Sequence, residues 1–165
     1  MPIEVERRFL VLPRFLPRPL PDGLRIVQGY LSFHPLVRVR LVRGGAGGRP
    51  RGYLTVKGRG LRVRQEFEYR IPPAHARALL KLCGRMVLEK IRFRLGPWEL
   101  DRYLERLTGL WLAEVELRRR DAPLPRTLPP WLGREVTADP RYTNARLARL
   151  KRWPPRWARG GAARP

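Results

Sequence analysis

The sequence is poor in the residues that most enzymes use for nucleophilic or metal chemistry. Its 165 residues include one cysteine, Cys83, two histidines, His34 and His75, and one serine, Ser32. A single cysteine cannot form an intrachain disulfide, and too few Cys and His residues are present to assemble a zinc cluster. With one serine and two histidines, the chain is not expected to be a Ser-His-Asp hydrolase. Any bound metal is therefore expected on carboxylate oxygens.

Long apolar runs are also missing. No apolar stretch approaches the length of about 20 residues that a membrane-spanning helix needs. The charged start, MPIEVERRFLV, does not resemble a signal peptide, so we expect a cytoplasmic protein with no membrane partner. The length and the lack of an internal repeat predict one domain over residues 1–150. The Pro-, Gly- and Arg-rich stretch at 151–165 is predicted to be a basic, mobile tail.

Basic residues are in large excess. The chain has 36 Lys and Arg against 14 Asp and Glu, and a formal net charge of +22. Such a protein releases counterions from a phosphate backbone, which would favour a nucleic-acid partner. However, 32 of the 36 basic residues are arginine and only three residues are Asn or Gln, a profile that also suits a GC-rich genome or a hot habitat. Composition favours this second explanation, so nucleic acid is a secondary candidate partner.

The scarce acidic residues are not scattered. Eight of the 14 form four pairs at spacing i, i+2, where random placement would give about one such pair. The pairs are Glu4/Glu6, Glu66/Glu68, Glu99/Asp101 and Glu114/Glu116. This spacing is the period of a β-strand, in which alternate side chains share one face, and the residue between each pair is apolar. Each pair is therefore predicted on the polar face of a strand.

Basic residues alternate in the same way, for example in LVRVRLV (36–42) and EKIRFRL (89–95). A charged face that simply meets water is the ordinary explanation for one such strand. A solvent-exposed face usually mixes charges, however, whereas here acids and bases separate onto different strands. Facing carboxylate pairs repel unless a cation lies between them, and Mg²⁺ or Mn²⁺ accepts such oxygen ligands.

Turn signals divide the chain into eight predicted strands and two predicted helices. The strands are expected near residues 2–12, 24–34, 36–43, 52–59, 62–71, 87–96, 97–103 and 111–119. Helices are expected at 72–84, which begins with proline and ends at Gly84, and at 144–152. Eight strands in meander order predict a mainly β (α+β) protein, with an antiparallel sheet large enough to close into a barrel and a few flanking helices.

The motifs along the chain resemble those of the CYTH superfamily, also called triphosphate tunnel metalloenzymes, and especially its small bacterial members. The ExExK motif appears as Glu4-Val5-Glu6-Arg7-Arg8, followed by FLV at 9–11. Further matches are QGYL (28–31), VRVR (37–40), YLTVKG (53–58), EFEY (66–69), EKIRFR (89–94), WELDRYL (98–104), AEVEL (113–117), WLGREVT (131–137) and DPRYTNARLA (139–148). The resemblance covers roughly residues 2–150 in the family's order.

The resemblance implies a closed barrel of eight antiparallel strands around a charged tunnel. It also implies a triphosphatase that depends on Mg²⁺ or Mn²⁺ and converts tripolyphosphate, a small polyanion, to pyrophosphate and phosphate. Thiamine triphosphate or a nucleotide is an alternative substrate, and class IV adenylate cyclase is a distant relative. An alternative of another class is a polyphosphate- or RNA-binding protein with an inactive tunnel. The chain is expected to be a monomer or a homodimer.

By the same resemblance, a divalent metal is implied at Glu4, Glu6, Glu114 and Glu116. The implied triphosphate cradle consists of Arg8, Arg38, Arg40, Lys57, Lys90, Arg92, Arg94 and Arg134. Glu66 and Glu68 match acids that hold a second metal or water, and Asp101 matches another tunnel acid.

One position departs from the family motif, because Arg8 stands where the motif has Lys. A guanidinium stays protonated, so electrostatic clamping is the predicted role of Arg8. Lys57 and Lys90 are then the candidates for a proton-donating amine, although plain phosphate binding is the favoured role for both.

Overall fold

The computed structural model of the chain describes residues 3–44, 48–58, 63–117 and 122–158, without the side chains of residues 3–5, 63 and 64. Within these ranges the fold is mainly β, with one antiparallel sheet of nine strands and two α-helices. The strands are β1 (Ile3–Val11), β2 (Leu24–Phe33), β3 (Leu36–Arg43), β4 (Arg51–Lys57), β5 (Val63–Ile71), β6 (Val87–Leu95), β7 (Trp98–Tyr103), β8 (Trp111–Glu116) and β9 (Leu132–Glu135). The helices are α1 (Pro73–Leu82) and α2 (Asn144–Leu147).

Sequence neighbours pair with one another through most of the sheet. Its order is β5-β4-β3-β2-β6-β7-β8-β1-β9, so two meanders join where β2 pairs with β6. The tight turn between β6 and β7 contains Gly96, whose φ of +57° lies in the left-handed region that glycine adopts without strain. Strand β1 makes one further pairing, in which Ile3–Val5 run antiparallel to residues 63–65 of β5.

The expectation of a mainly β protein with an antiparallel sheet is confirmed, but the predicted number of strands was one short. The missed strand, β9, has only four residues and lacks a clear alternating pattern. It pairs with β1, where Val11 lies opposite Leu132. A Cβ atom on Gly133 would come within 2.9 Å of the carbonyl oxygen of Leu10, so glycine permits this close approach.

The apolar faces of the strands pack on the outside of the sheet. Trp98 meets Phe9 and Trp131 edge to face, with ring centroids 5.6 and 5.8 Å apart. On the opposite side of the molecule, α1 buries Ala76 against Val39. Because these apolar faces are covered from outside, the charged faces of the same strands lie together on the other side of the sheet.

The first predicted helix is confirmed, whereas the second is shorter than expected. Its N-cap is Thr143, whose hydroxyl oxygen accepts a hydrogen bond from the N–H of Arg146. The helix ends early because the guanidinium of Arg106 binds the carbonyl oxygens of Ala148 and Leu150, at 2.7 and 2.8 Å. These carbonyl groups therefore do not need partners from a continuing helix.

The segment after α2 folds back onto the sheet as far as residue 158. Trp157 contacts Tyr142 at a ring-centroid distance of 5.3 Å, and the N–H of Trp153 donates to the carbonyl oxygen of Arg106 at 2.8 Å. The mobile tail predicted from residue 151 remains a prediction for 159–165, which lie outside the described residues. Neither helix in the described part of the chain is long and apolar enough to cross a membrane.

Candidate active site

The charged faces of strands β1 to β8 line a cavity of about 1450 Å³. Among the described residues, ten basic and six acidic side chains contribute to its wall, an excess of four positive charges. The basic residues are Arg8, Arg38, Arg40, Arg51, Lys57, Lys90, Arg92, Arg94, Arg146 and Arg149, and the acidic ones are Glu6, Glu66, Glu68, Glu99, Glu114 and Glu116. A small polyanion is the ligand whose charge complements this lining.

Strand register explains how so many charges share one cavity. An acid on one strand lies directly opposite a base on its neighbour, so the separation of signs seen in the sequence becomes a set of cross-strand pairs. The opposed pairs are Arg8/Glu114, Lys57/Glu66, Arg92/Asp101 and Arg94/Glu99.

Arg8 joins the two carboxylates at the β1–β8 side of the cavity. Its Nε donates to Oε1 of Glu114 at 2.7 Å, and its Nη2 donates to Oε1 of Glu6 at 2.5 Å. Burial alone would lower the pKa of Arg8, but Glu114 and Glu6 outweigh it and raise that pKa. Burial conversely favours the neutral form of Glu114, yet Arg8, Arg92 and Lys90 hold its pKa well below the usual range. Both partners are therefore ionised at neutral pH.

Asp101 lies fully buried behind the cavity wall and holds two basic residues in place. Arg92 donates to both of its carboxylate oxygens, from Nε and Nη2 at 2.7 Å each, and Nζ of Lys90 lies 2.5 Å from Oδ2. Arg92 also reaches Oε2 of Glu114 at 3.0 Å, so this cluster is continuous with the one around Arg8. Burial lowers the pKa of Lys90 to about 8, with Asp101 opposing the shift.

A second set of ion pairs lies where β3, β4 and β5 meet. Nζ of Lys57 is 2.6 Å from Oε2 of Glu66, and Nη2 of Arg38 is 3.4 Å from Oε1 of the same residue. Arg40 donates to Glu68 at 2.8 Å. Burial, with the nearby charge of Arg38, lowers the pKa of Arg40.

Each of the two arginines of β3 has one side-chain donor without a hydrogen-bond partner among the described residues. These donors are the Nε atoms of Arg38 and Arg40, and both are buried. The Nε of Arg102, which does not line the cavity, is unpaired in the same way, so the feature is not specific to the cavity.

Three other predicted site residues lie at the edge of the cavity or beyond it. Arg94 is 75% exposed and pairs with Glu99 at 2.9 Å, and Glu116 is exposed on the cavity lining. Arg134 is exposed and does not line the cavity, and its guanidinium lies 3.5 Å from the hydroxyl oxygen of Tyr142. The structure thus brings the predicted basic cradle together except for Arg134.

The carboxylates predicted to bind metal are adjacent in the sheet. Glu6 lies opposite Glu116 in the β1–β8 register. Glu114 lies two residues before Glu116 on β8, and therefore on the same face of that strand. The side chain of Glu4 is outside the described residues. Among those that are described, no group of three or more His, Cys, Asp or Glu side chains is already arranged to hold a metal ion. Hard oxygen donors on one strand pair nevertheless suit Mg²⁺ or Mn²⁺.

Sequence reasoning missed the residues that enter the cavity from outside the strands, among them Asn144, Arg146 and Arg149. Asn144, the first residue of α2, lines the cavity, and its Oδ1 accepts a 2.6 Å hydrogen bond from the hydroxyl of Tyr103. The same oxygen is 3.4 Å from Nζ of Lys90. The signal available in the sequence was that Asn144 is the only asparagine in the chain.

The chain is similar to curated proteins from two bacteria. It is 38% identical over 154 residues to an inorganic triphosphatase of Acetivibrio thermocellus, a match that covers 88% of this chain and 93% of that protein. It is 34% identical over 155 residues to an inorganic triphosphatase of Nitrosomonas europaea, covering 88% and 96% of the two chains. No protein-family model matches the chain.

A solved structure supports the same relationship. The chain superposes on a crystal structure of the inorganic triphosphatase NE1496 with a TM-score of 0.62 and 32% sequence identity. The superposition covers 92% of this chain and 98% of that one. Similarity in sequence and in fold therefore extends over most of both chains.

Proposed function

The chain belongs to the inorganic triphosphatase family, and from this premise we propose that it hydrolyses inorganic tripolyphosphate to pyrophosphate and phosphate inside the charged cavity. The observation that carries the proposal is the excess of four positive charges on the cavity lining. A triphosphate carries a charge of about −4 to −5, so its sign complements that of the lining.

In this proposal the arginines of β3 bind the phosphate chain. Both side chains line the cavity, which supports the proposal. Phosphate oxygens would accept from their guanidinium N–H groups in the bidentate manner that such groups favour. Arg8, Lys57, Lys90, Arg92 and Arg94 complete the cradle and neutralise the charge that the phosphates bring.

The proposal also includes closure of strands β1 to β8 into a barrel, which would make the cavity a tunnel. The pairing of Ile3–Val5 with residues 63–65 supports closure, since it links β1 to β5 while β8 pairs with β1 on its other side. Closure would surround the substrate with the charged faces and keep the apolar faces outside.

A divalent cation, Mg²⁺ or Mn²⁺, is part of the proposed site. Glu6, Glu114 and Glu116, with Glu4 next to them in the chain, would hold it, because their oxygens are the donors that such ions prefer. When bound, the ion would neutralise phosphate oxygens and ease the attack of water. Arg8 already binds two of these carboxylates and orients them towards the cavity.

The remaining steps belong to side chains of the chain itself. Glu66 or Glu68 would orient the attacking water, and Asp101 would fix Lys90 and Arg92 against the wall. Lys90, with a pKa near 8, would stay largely protonated at neutral pH and bind the departing phosphate. Such a site works by positioning and charge stabilisation, which is what phosphoryl transfer mainly requires.

Phosphate release tests the proposal directly. The purified chain would be incubated with tripolyphosphate, ATP or thiamine triphosphate, each with EDTA, Mg²⁺ or Mn²⁺. We expect release from tripolyphosphate that exceeds release from the other two substrates and that disappears in EDTA. A lack of release from all three substrates with either metal would refute the triphosphatase proposal. Faster release from ATP or thiamine triphosphate would correct the substrate.

A further inference from the structure

Asn144 enters the cavity wall from an element that does not belong to the charged strands. It begins α2, and its side chain meets two residues that are each only 1% exposed, Lys90 and Tyr103. The side-chain amide is neutral, so it adds a hydrogen-bonding group to the cavity without adding a charge to balance.

The chemistry of its two neighbours fixes the orientation of the amide. The ammonium group of Lys90 can only donate, so the atom of Asn144 that faces it must be the acceptor, Oδ1. The hydroxyl of Tyr103 donates to the same oxygen at 2.6 Å. Both contacts lie on the wall side of Asn144, and its Nδ2 makes no hydrogen bond to any described residue.

We infer that Asn144 is a further substrate-binding residue, whose Nδ2 donates a hydrogen bond to a phosphate oxygen in the cavity. Tyr103 is then a positioning residue, because its hydroxyl keeps the oxygen of the amide against the wall and the nitrogen towards the ligand. This inference rests on the proposed function, since it takes the phosphate chain of the substrate as the acceptor. It gives α2 a role in substrate binding.

Binding of tripolyphosphate in EDTA, measured by isothermal titration calorimetry, tests the inference without turnover. We expect Asn144→Ala to weaken binding about tenfold or more, because a hydrogen bond to a charged group is lost. Asn144→Asp should weaken it at least as much, since the new carboxylate keeps the contacts to Tyr103 and Lys90 but replaces the donor with a negative charge. Tyr103→Phe should weaken it a few-fold, because the donor that orients the amide is lost while the ring remains.

Gln65→Glu is the matched control. It makes the same change of charge at an exposed amide of β5 and should leave binding within about twofold of wild type, a difference too small to reflect a lost hydrogen bond. Thermal unfolding of each variant separates lost binding from lost fold. If Asn144→Ala proves unstable, the nearly isosteric Asn144→Asp still decides the question.

The outcomes separate this inference from the proposed function. Wild-type binding and hydrolysis of tripolyphosphate, together with unchanged binding by folded Asn144→Asp, would overturn the role of Asn144 alone. Unchanged binding by Tyr103→Phe would overturn the positioning role of that hydroxyl. A wild-type protein that neither binds nor hydrolyses tripolyphosphate would instead refute the proposed function.

Discussion

Arg8 and Glu114 form a buried ion pair across the β1–β8 register, with 2.7 Å between Nε and Oε1. Both side chains are close to fully buried, at 7% and 11% exposure. The pair occupies the part of the cavity where the predicted metal-binding carboxylates meet. The guanidinium therefore acts as an internal counter-charge for Glu6 and Glu114, and it helps to hold the pKa of Glu114 well below its usual range.

Replacing Arg8 should reveal this counter-charge as a loss of stability. Arg8→Met would remove a buried cation from Glu6 and Glu114, and we expect the free energy of unfolding to fall by about 3 kcal/mol. Urea unfolding in EDTA measures the change. Added Mn²⁺ should restore part of the loss, because a cation can replace the guanidinium between the carboxylates. Arg94→Met, at a largely exposed side chain, is the control and should change stability little. Equal effects of the two variants would contradict the role given to Arg8.

Loss of one predicted metal ligand should abolish turnover and leave the fold intact. Glu116 is exposed on the cavity lining, so Glu116→Gln removes a charge without disturbing the core. We expect phosphate release to fall at least a hundredfold, because the divalent cation that Glu116 helps to hold would contribute several kcal/mol of charge stabilisation. Thermal unfolding should shift by less than a few degrees. Glu105→Gln, an exposed glutamate that does not line the cavity, should keep wild-type activity. A wild-type rate for Glu116→Gln would remove that residue from the metal site.

Much of the site could be predicted from the sequence because β-strand alternation is a local property. The spacing of Glu66 and Glu68, or of Arg38 and Arg40, directly indicates which side chains share a face. The structure then adds the register, which sets Lys57 opposite Glu66. The net charge alone predicted that the partner is an anion. The alternation of charged and apolar residues along the strands then predicted that the charged side chains share one site.

Features that depend on contacts between distant residues could not be predicted. Asn144 meets Tyr103 across 41 positions of sequence, and no local pattern records that contact. The short strand β9 is held by β1 and carries little alternation of its own. Arg134 lies within a family motif but is not part of the cavity lining, so its role in phosphate binding stays a prediction. For Asn144 and β9, tertiary packing, rather than local preference, decided the outcome.

Stability should fall steeply in acid because the buried carboxylates must take up protons. Arg92 and Lys90 hold the pKa of Asp101 below its usual value despite burial, and the pKa of Glu114 is lowered in the same way. Unfolded Asp and Glu titrate at about 3.9 and 4.3, so below these values the unfolded chain binds more protons than the folded one. The stabilisation is complete above about pH 5 and is lost progressively as the pH falls below about 4.

Urea unfolding between pH 7 and pH 3 measures this loss. Asp101→Asn removes one of the two groups, so the variant should be less stable at pH 7 and should lose stability less steeply in acid. Asp22→Asn, at an exposed position, should follow the wild-type curve. If Asp101→Asn and wild type have parallel curves, Asp101 does not contribute to acid unfolding.

Catalytic efficiency should fall above about pH 8 as Lys90 loses its proton. Burial lowers the pKa of Lys90 to about 8, so its ammonium charge is present at pH 7 and largely absent at pH 9. The value of kcat/KM reports the ionisation of the free enzyme, and we expect a decrease of up to about tenfold between pH 8 and pH 9.

Lys90→Arg keeps a positive charge throughout this range and should flatten the decrease, although its absolute rate should be lower. Since tripolyphosphate itself titrates in the same range, the ratio of wild type to variant at each pH isolates the contribution of the lysine. A ratio that stays constant from pH 7 to pH 9.5 would show that the charge of Lys90 does not limit the reaction.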